Sequence, residues 1–457
     1  MIKALHRIAA VLLLSGCVAP QVPDGLERSE LVQLPGSWDH AALPDEVVDG
    51  WIERFDDVRL TELVEQAQVN NPNLKTAFTN ILRADALLRQ ATAGLRPSAN
   101  AQLSYDWSGR FEGDTPDTSQ FFLTFSYLLD VWGGTQASVD AASADFESVW
   151  LNYKFAQLSL AAAVAKAYFL AVESELQVEI NKANVDSLIQ ISEIVELQFR
   201  EGAVTQQDVN LAMSDVASAE SRLITSEQTA RNARRILNLI LGAYPNDDVV
   251  VGTALPSRPS IPAAGVPAAL LERRPDLVAA EQTVAATFSR VYVAKVARFP
   301  RVSLSGNLGG ISTDLDQLFQ SERLSWSVGP SIGVPLYQGG ALSAQVDAAA
   351  ASQQAAIASY ASQALDAMSE VEIALDANKT LAAQQERIEV SYETARNANR
   401  LAQLRYENGD ISLVDLIEIQ RREFSRRSEL VTNLRRQLDA RIDLFLALGG
   451  DWQSQSP

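Results

Sequence analysis

At residues 341–408 the chain reads ALSAQVDAAAASQQAAIASYASQALDAMSEVEIALDANKTLAAQQERIEVSYETARNANRLAQLRYEN. This run contains no Gly or Pro, and Ala, Gln, Leu and charged residues dominate it, which favours helix. Its apolar residues alternate spacings of four and three, which predicts a coiled-coil seam of Ile357, Ala361, Ala364, Met368, Val371 and Leu375. At about 1.5 Å per residue, such a rod is roughly 100 Å long. Residues 135–201 form a second such run, so the chain is predicted to cross a distance rather than to enclose a small active site.

Composition narrows the classes of function. The formal net charge of −19 argues against a nucleic-acid partner. A single Cys excludes an intrachain disulfide, and two His (His6 and His40) leave little for catalysis or metal binding. We therefore predict no enzyme activity, no catalytic residues and no metal site.

The N-terminus resembles a bacterial lipoprotein signal. Lys3 and Arg7 precede a short apolar core, and Leu14-Ser15-Gly16-Cys17 resembles the lipobox, in which a small residue precedes a Cys that becomes lipidated. The predicted signal peptide is residues 1–16, and its loss of Lys3 and Arg7 takes the formal charge from −19 to −21. Val18 is not the Asp of an inner-membrane retention signal, which favours the outer membrane. An ordinary signal peptide with an incidental Cys is the alternative.

Four segments change to a two-residue alternation of apolar and polar side chains. They predict strands at 99–107, 120–129, 302–308 and 325–334. Each has about the ten residues that a tilted strand needs to cross a bilayer. Their aromatic residues are candidates for an interfacial girdle or for core packing: Tyr105, Trp107, Tyr127 and Trp326.

The second half of the chain repeats the first. Residues 274–277 (RPDL) echo residues 71–74 (NPNL) at an offset of 203, and Gly409 echoes Gly202 at an offset of 207. The predicted divisions after the signal are an arm (17–60), a first repeat (61–251), a linker (252–270), a second repeat (271–449) and a tail (450–457).

Four strands cannot close a barrel, and an open sheet in lipid leaves backbone groups unpaired. Three chains would supply twelve strands, so a ring-shaped oligomer is predicted, with a trimer as its simplest form.

On the lipobox, the tandem repeat, the two strand pairs and the rod-end turns, the chain resembles the TolC-type outer-membrane efflux proteins and their lipid-anchored branch. The resemblance implies a mainly α fold with membrane β: a homotrimer with a shared twelve-stranded barrel, a tunnel of long helical hairpins in the periplasm, and an equatorial girdle that includes the arm and the linker. It implies passive export of small molecules, coupled to an inner-membrane pump through a periplasmic adaptor. Apart from a covalent lipid (palmitate) on Cys17 and outer-membrane lipid, no cofactor is expected.

The resemblance also implies a gate at the periplasmic tip, which the turns at Gly202 and Gly409 mark. Asp415 and Glu418 lie three residues apart on one helix face and would form two acidic rings in a trimer, and Val414 could add an apolar constriction. A solvated surface face is the alternative.

The resemblance further implies that Tyr406 and Asp208 form a latch by a hydrogen bond, for which ordinary rod-end packing of Tyr406 is the alternative. The basic residue that the family's best-described member has near the second turn is Ile411 here, so any latch must differ.

A lipid-anchored periplasmic coiled-coil adaptor or scaffold protein is the alternative function. Such an adaptor does not cross the membrane, so the two strand pairs, each long enough to span a bilayer, favour the channel.

Overall fold

The computed structural model describes residues 37–39, 50–107, 111, 117–262, 264–265 and 267–450. The predicted signal peptide, Cys17, most of the arm and all but the first residue of the C-terminal tail lie outside these ranges.

Within these ranges, eight helices and four strands follow one another in the order that the duplication predicts. The helices are α1 (Val58–Asn70), α2 (Pro72–Ala93), α3 (Gly134–Arg200), α4 (Gln206–Ile240), α5 (Pro267–Arg273), α6 (Pro275–Val296), α7 (Ala341–Glu407) and α8 (Leu413–Ala447). The strands are β1 (Ser98–Asp106), β2 (Thr118–Leu129), β3 (Arg301–Ser312) and β4 (Leu324–Gly333). Short 3-10 turns occupy Glu53–Phe55 and Leu315–Gln317.

The helices of the two repeats have equal lengths. Helices α3 and α7 each contain 67 residues, and α4 and α8 each contain 35. Both pairs keep the offset of 207, while α2 and α6, with 22 residues each, keep the offset of 203. The two predicted rods and the four predicted strands are confirmed, and β3 continues four residues beyond its predicted end.

The four strands form one antiparallel sheet in the order β1-β2-β3-β4. Its register pairs Leu103 with Phe121 and Leu308 with Trp326. Strands β1 and β4 are the two edges, so each has one side without a partner strand within the chain. Trp326 is 78% exposed and Trp107, just past β1, is 88% exposed. These aromatic side chains therefore do not pack in a core of the single chain.

The chain divides into two compact units, and each draws on both repeats. The first contains the described residues of 79–151 and 278–362 and includes the sheet. Within it, Arg290 forms an ion pair with Asp145, and the Ser148 and Thr283 hydroxyls lie 3.0 Å apart. These contacts join α3 to α6.

The second unit contains the described residues of 34–78, 152–277 and 363–457, and its core is aromatic. The Trp51 ring stacks on Phe445 at a centroid distance of 5.9 Å, and Phe55 contacts Phe169 at 5.4 Å. The Tyr168 hydroxyl donates to Asp57, whose other oxygen accepts from the Leu60 amide and so caps α1. Burial raises the pKa of Tyr168 to about 12, and the Asp57 charge adds to this effect.

Helix α3 contains a window that is apolar enough, by length and composition, to cross a membrane. Half of that window is buried within the protein. Ala161–Val172 contribute many of its buried side chains to the aromatic core, so core packing explains the apolar composition of α3.

The seam that the sequence predicts along α7 is largely buried. Ala364, Met368, Val371 and Leu375 are at most 8% exposed, and Ile357 and Ala361 are half-buried.

Replacing Gly242 by Ala is expected to destabilise the protein more than replacing Gly202 by Ala. Both glycines have φ of 74°, so each alanine costs about 1–2 kcal/mol in the left-handed region. A Cβ at Gly242 would also lie 2.6 Å from the Asn70 carbonyl oxygen, whereas one at Gly202 would meet nothing within 4 Å. That clash adds about 1–3 kcal/mol. Denaturant titration of the two variants measures the difference, and equal losses would contradict this explanation.

Candidate functional site

Both long helices end in the same backbone turn. After α3 the amide of Ala203 donates to the carbonyl of Gln198, and after α7 the amide of Asp410 donates to that of Arg405, each at 2.8 Å. This six-to-one hydrogen bond needs a left-handed residue, and Gly202 and Gly409 supply it with φ of 74° and 77°. Backbone bonds thus close both predicted tip turns, and at the second turn the Asn408 side chain also donates to the Leu404 carbonyl.

The helices that follow these turns begin with matching capping boxes. Thr205 accepts from the Asp208 amide, and the Asp208 carboxylate accepts from the Thr205 amide at 2.9 Å and hydroxyl at 2.7 Å. Ser412 and Asp415 repeat this arrangement at the start of α8. The bonds from Thr205 lower the pKa of Asp208, the backbone amide having the larger effect.

Two acidic residues that the sequence analysis assigned to the latch and gate, Asp208 and Asp415, have a structural role in these capping boxes. Their signal is the Thr- or Ser-x-x-acid spacing that starts a helix, which we did not use. Asp208 and Asp415 each hold a helix end in this structure, and their assignments to latch and gate stay predictions.

Glu418 lies one turn beyond Asp415 and forms ion pairs with arginine side chains of its own chain. Its carboxylate lies 3.2 Å from Arg421 and 4.0 Å from Arg422. Arg421 also lies 3.9 Å from Asp215 on α4. Each copy therefore places two arginines beside the predicted acidic ring. Val414, the predicted apolar constriction, is 55% exposed.

Tyr406 forms a hydrogen bond that the sequence analysis did not anticipate. Its hydroxyl donates to the Gln198 side-chain oxygen at 3.0 Å, which joins α7 to α3. Burial raises the pKa of Tyr406, and the charge of nearby Asp208 adds to the effect. Within this chain the Tyr406 hydroxyl therefore bonds Gln198, while one oxygen of the Asp208 carboxylate accepts from Thr205.

An apolar cluster drawn from all four tip helices lies beneath these polar contacts. Its buried members are Val185, Leu188, Ile191, Val195, Val209, Ala212, Ala219, Ala402, Tyr406, Leu413, Leu416 and Ile417. The two hairpin ends are therefore packed against each other within one chain.

Comparison with known proteins identifies the family. The model of the outer membrane efflux protein family matches residues 63–243 and 266–450. The chain belongs to this family.

Individual outer membrane efflux proteins resemble this one along almost their whole length. The pyoverdine export outer membrane protein OpmQ of Pseudomonas putida is 29% identical over 98% of this chain and 97% of its own. The cation efflux system protein CusC of Escherichia coli is 29% identical over 88% of each chain. The solved structure of the outer-membrane channel OprN superposes with a TM-score of 0.83 and 27% identity, covering 91% of this chain and 96% of that one.

This efflux protein is therefore an outer-membrane channel, and the predicted localisation, fold class and transport function are confirmed. The coiled-coil adaptor, our alternative, is not supported. Among the described residues, no group of three His, Cys, Asp or Glu side chains could hold a metal ion.

Replacing Ser412 by Ala is expected to loosen the start of α8. The substitution removes the side-chain acceptor of the Asp415 amide, and loss of such a cap costs about 1 kcal/mol. Hydrogen–deuterium exchange should become faster in peptides that span residues 410–420. Asp410→Ala, which changes an exposed acid outside the capping box, is the control and should leave exchange unchanged. Unaltered exchange in Ser412→Ala would show that the cap does not hold this helix end.

Proposed function

We propose that three copies of this efflux protein form a passive exit duct for small molecules. An inner-membrane pump drives the flow and reaches the duct through a periplasmic adaptor. The observation that carries the proposal is the four-stranded sheet with two unpaired edges and exposed aromatic side chains. In lipid, each unpaired backbone group costs several kcal/mol, so the edges must meet those of other copies. Three copies give a closed barrel of twelve strands.

We propose that the pump, rather than this channel, selects the cargo. OpmQ and CusC are named for pyoverdine and for cations, which differ in size and charge. Both are 29% identical to this chain over the aligned residues, so sequence identity to either does not select a cargo.

The tip is the gate of the proposed duct. Glu418 supplies the charge that faces permeating ions, Val414 narrows the passage, and Asp415 positions Glu418 by capping α8. The Tyr406–Gln198 bond, with Asp208 beside it, holds the α7 and α3 ends together. The support for these roles is their shared place at the hairpin ends and the packing beneath them.

We expect purified protein to form discrete, cation-selective channels in planar lipid bilayers. Glu418→Gln should raise the closed-state leak and lower cation selectivity, because the ring loses its carboxylates while Arg421 and Arg422 remain. The Asp415→Ala, Glu418→Ala double variant should show a larger change, since it also loses the cap.

The matched control is Glu429→Gln, which breaks a comparable pair with Arg426 on the same helix, far from the tip. Its conductance should equal that of the unchanged protein. Identical conductance and selectivity in Glu418→Gln would remove Glu418 from the gate. A monomer that gives no channels and lacks heat-modifiable mobility on gels would overturn the duct itself.

We also propose a covalent lipid on Cys17, supported by the lipobox at residues 14–17. Mass spectrometry of the N-terminal peptide should show a diacylglycerol thioether and an N-acyl chain. Cys17→Ser should lack both masses and retain the signal peptide. An N-terminal peptide of the unchanged protein without lipid would contradict the assignment.

A further inference from the structure

Helices α3 and α8 of one chain meet through a row of paired polar side chains. The Gln177 amide of α3 donates to the Thr432 hydroxyl at 3.2 Å and to the Ser428 carbonyl at 3.1 Å. The Gln177 side-chain oxygen accepts from the Ser428 hydroxyl at 2.7 Å. Further along the same helices, Lys166 forms an ion pair with Asp443. These contacts join the long helix of the first repeat to the 35-residue helix of the second.

The duplication gives this row a counterpart on the other two helices. At the offset of 207, the counterparts of the Gln, Ser and Thr are Gln384 of α7 and Ser221 and Thr225 of α4. All three residue types recur. The counterparts of the lysine and the aspartate are Ile373 and Ile236. A pair of opposite charges in one row is thus a pair of apolar side chains in the other, and each pair is complementary.

The counterpart residues lie on open surfaces of the single chain. All five are exposed, and Ile373 and Ile236 are 67% and 49% exposed. Ile373 and Gln384 are close to three full turns apart on α7 and line the same cavity of about 710 Å³. Ser221, Thr225 and Ile236 likewise share one face of α4. Each half of the counterpart row is therefore presented on its own helix.

We propose that this exposed face of α7 docks on the exposed face of α4 of a second copy. Gln384 of one copy bonds Ser221 and Thr225 of the other. Ile373 packs on Ile236 of that second copy. The proposal rests on the oligomeric duct proposed above and names surfaces through which its copies meet.

The chemistry of the two faces supports a second copy as the occupant. The Gln384 amide offers a donor and an acceptor, which match the Ser221 hydroxyl and carbonyl as in the α3–α8 contact. The Thr225 hydroxyl donates to the Ser221 carbonyl of its own helix at 3.0 Å, and its oxygen can still accept. The docking also removes two exposed isoleucines from water.

The contact joins two different faces, so it is heterologous, and such contacts close into a ring when the rotation between copies allows it. The α3–α8 contact within a chain and the α7–α4 contact between chains then alternate around the ring.

Cross-linking of the full-length protein in outer-membrane fragments tests the contact. In the Ile373→Cys, Ile236→Cys double variant, a short bis-maleimide should link copies into covalent dimers and trimers on denaturing gels. Each single variant should run as a monomer. So should the unchanged protein, whose one Cys is Cys17.

The matched control is the Gln384→Cys, Ile236→Cys double variant. It places thiols on the same two faces but about 16 Å out of register along α7, so it should lose the cross-linked species. Equal cross-linking in the two double variants would overturn the proposed contact.

Restoring the charges of the α3–α8 row gives an independent measurement. Ile373→Lys alone should lower the oligomeric fraction on size-exclusion chromatography in detergent, because it places an unpaired cation in the contact. Adding Ile236→Asp should recover that fraction, since Lys166 and Asp443 form this pair within the chain. An oligomeric fraction that Ile373→Lys leaves unchanged would count against the contact.

The outcomes separate this contact from the duct. Trimers that conduct ions but give no cross-links in the Ile373→Cys, Ile236→Cys protein would overturn the contact and leave the duct standing. A covalent ladder that ends at another number of copies would support the contact and overturn the trimer. Cross-linking within one chain, seen as a monomer of altered mobility without a ladder, would also overturn the contact.

Discussion

Backbone hydrogen bonding is the constraint on which the rest of this structure depends. Two runs of 67 residues without internal Gly or Pro satisfy their backbone groups within single helices. Where each helix ends, a left-handed glycine lets the last carbonyls find partners, and a capping box supplies partners to the first amides of the next helix. In the sheet, β2 and β3 are paired on both sides, but β1 and β4 each pair on one side only. The backbone groups on their outer sides have no partner strand within the chain, so a single chain is incomplete as a membrane structure.

The helices of the second unit are held in register by buried polar groups as well as by apolar ones. Asn378 of α7 donates to the Ala440 carbonyl of α8, and Asn433 of α8 donates to Gln385 of α7. Such bonds form at one register only, because a shift of one residue leaves them unpaired in a buried interface. The long apolar seam alone would tolerate sliding, and these amides remove that freedom.

At the tip, the acidic residues proposed for the gate and latch also stabilise the fold of the single chain. Asp208 and Asp415 both cap helices, and the charge of Glu418 is shared with two arginines of its own chain. In a gate built on this arrangement, the Glu418 charge is partly compensated by arginines of the same copy. Its selectivity would then follow from which member of each ion pair faces the passage, a property of the assembled oligomer rather than of residue composition.

The amino-acid sequence by itself determined the two rods, the four strands, the duplication and the order of elements, because helix propensity, two-residue alternation and fixed offsets are local properties. The capping boxes were also visible at Thr205 and Ser412, although we read their acids as gate and latch residues. Only the tertiary structure decided that Tyr406 bonds Gln198 and that the Gln420 side chain donates to the Ser187 hydroxyl. Those facts depend on which side chains of distant helices come to face one another, and no local pattern encodes a contact across two hundred residues.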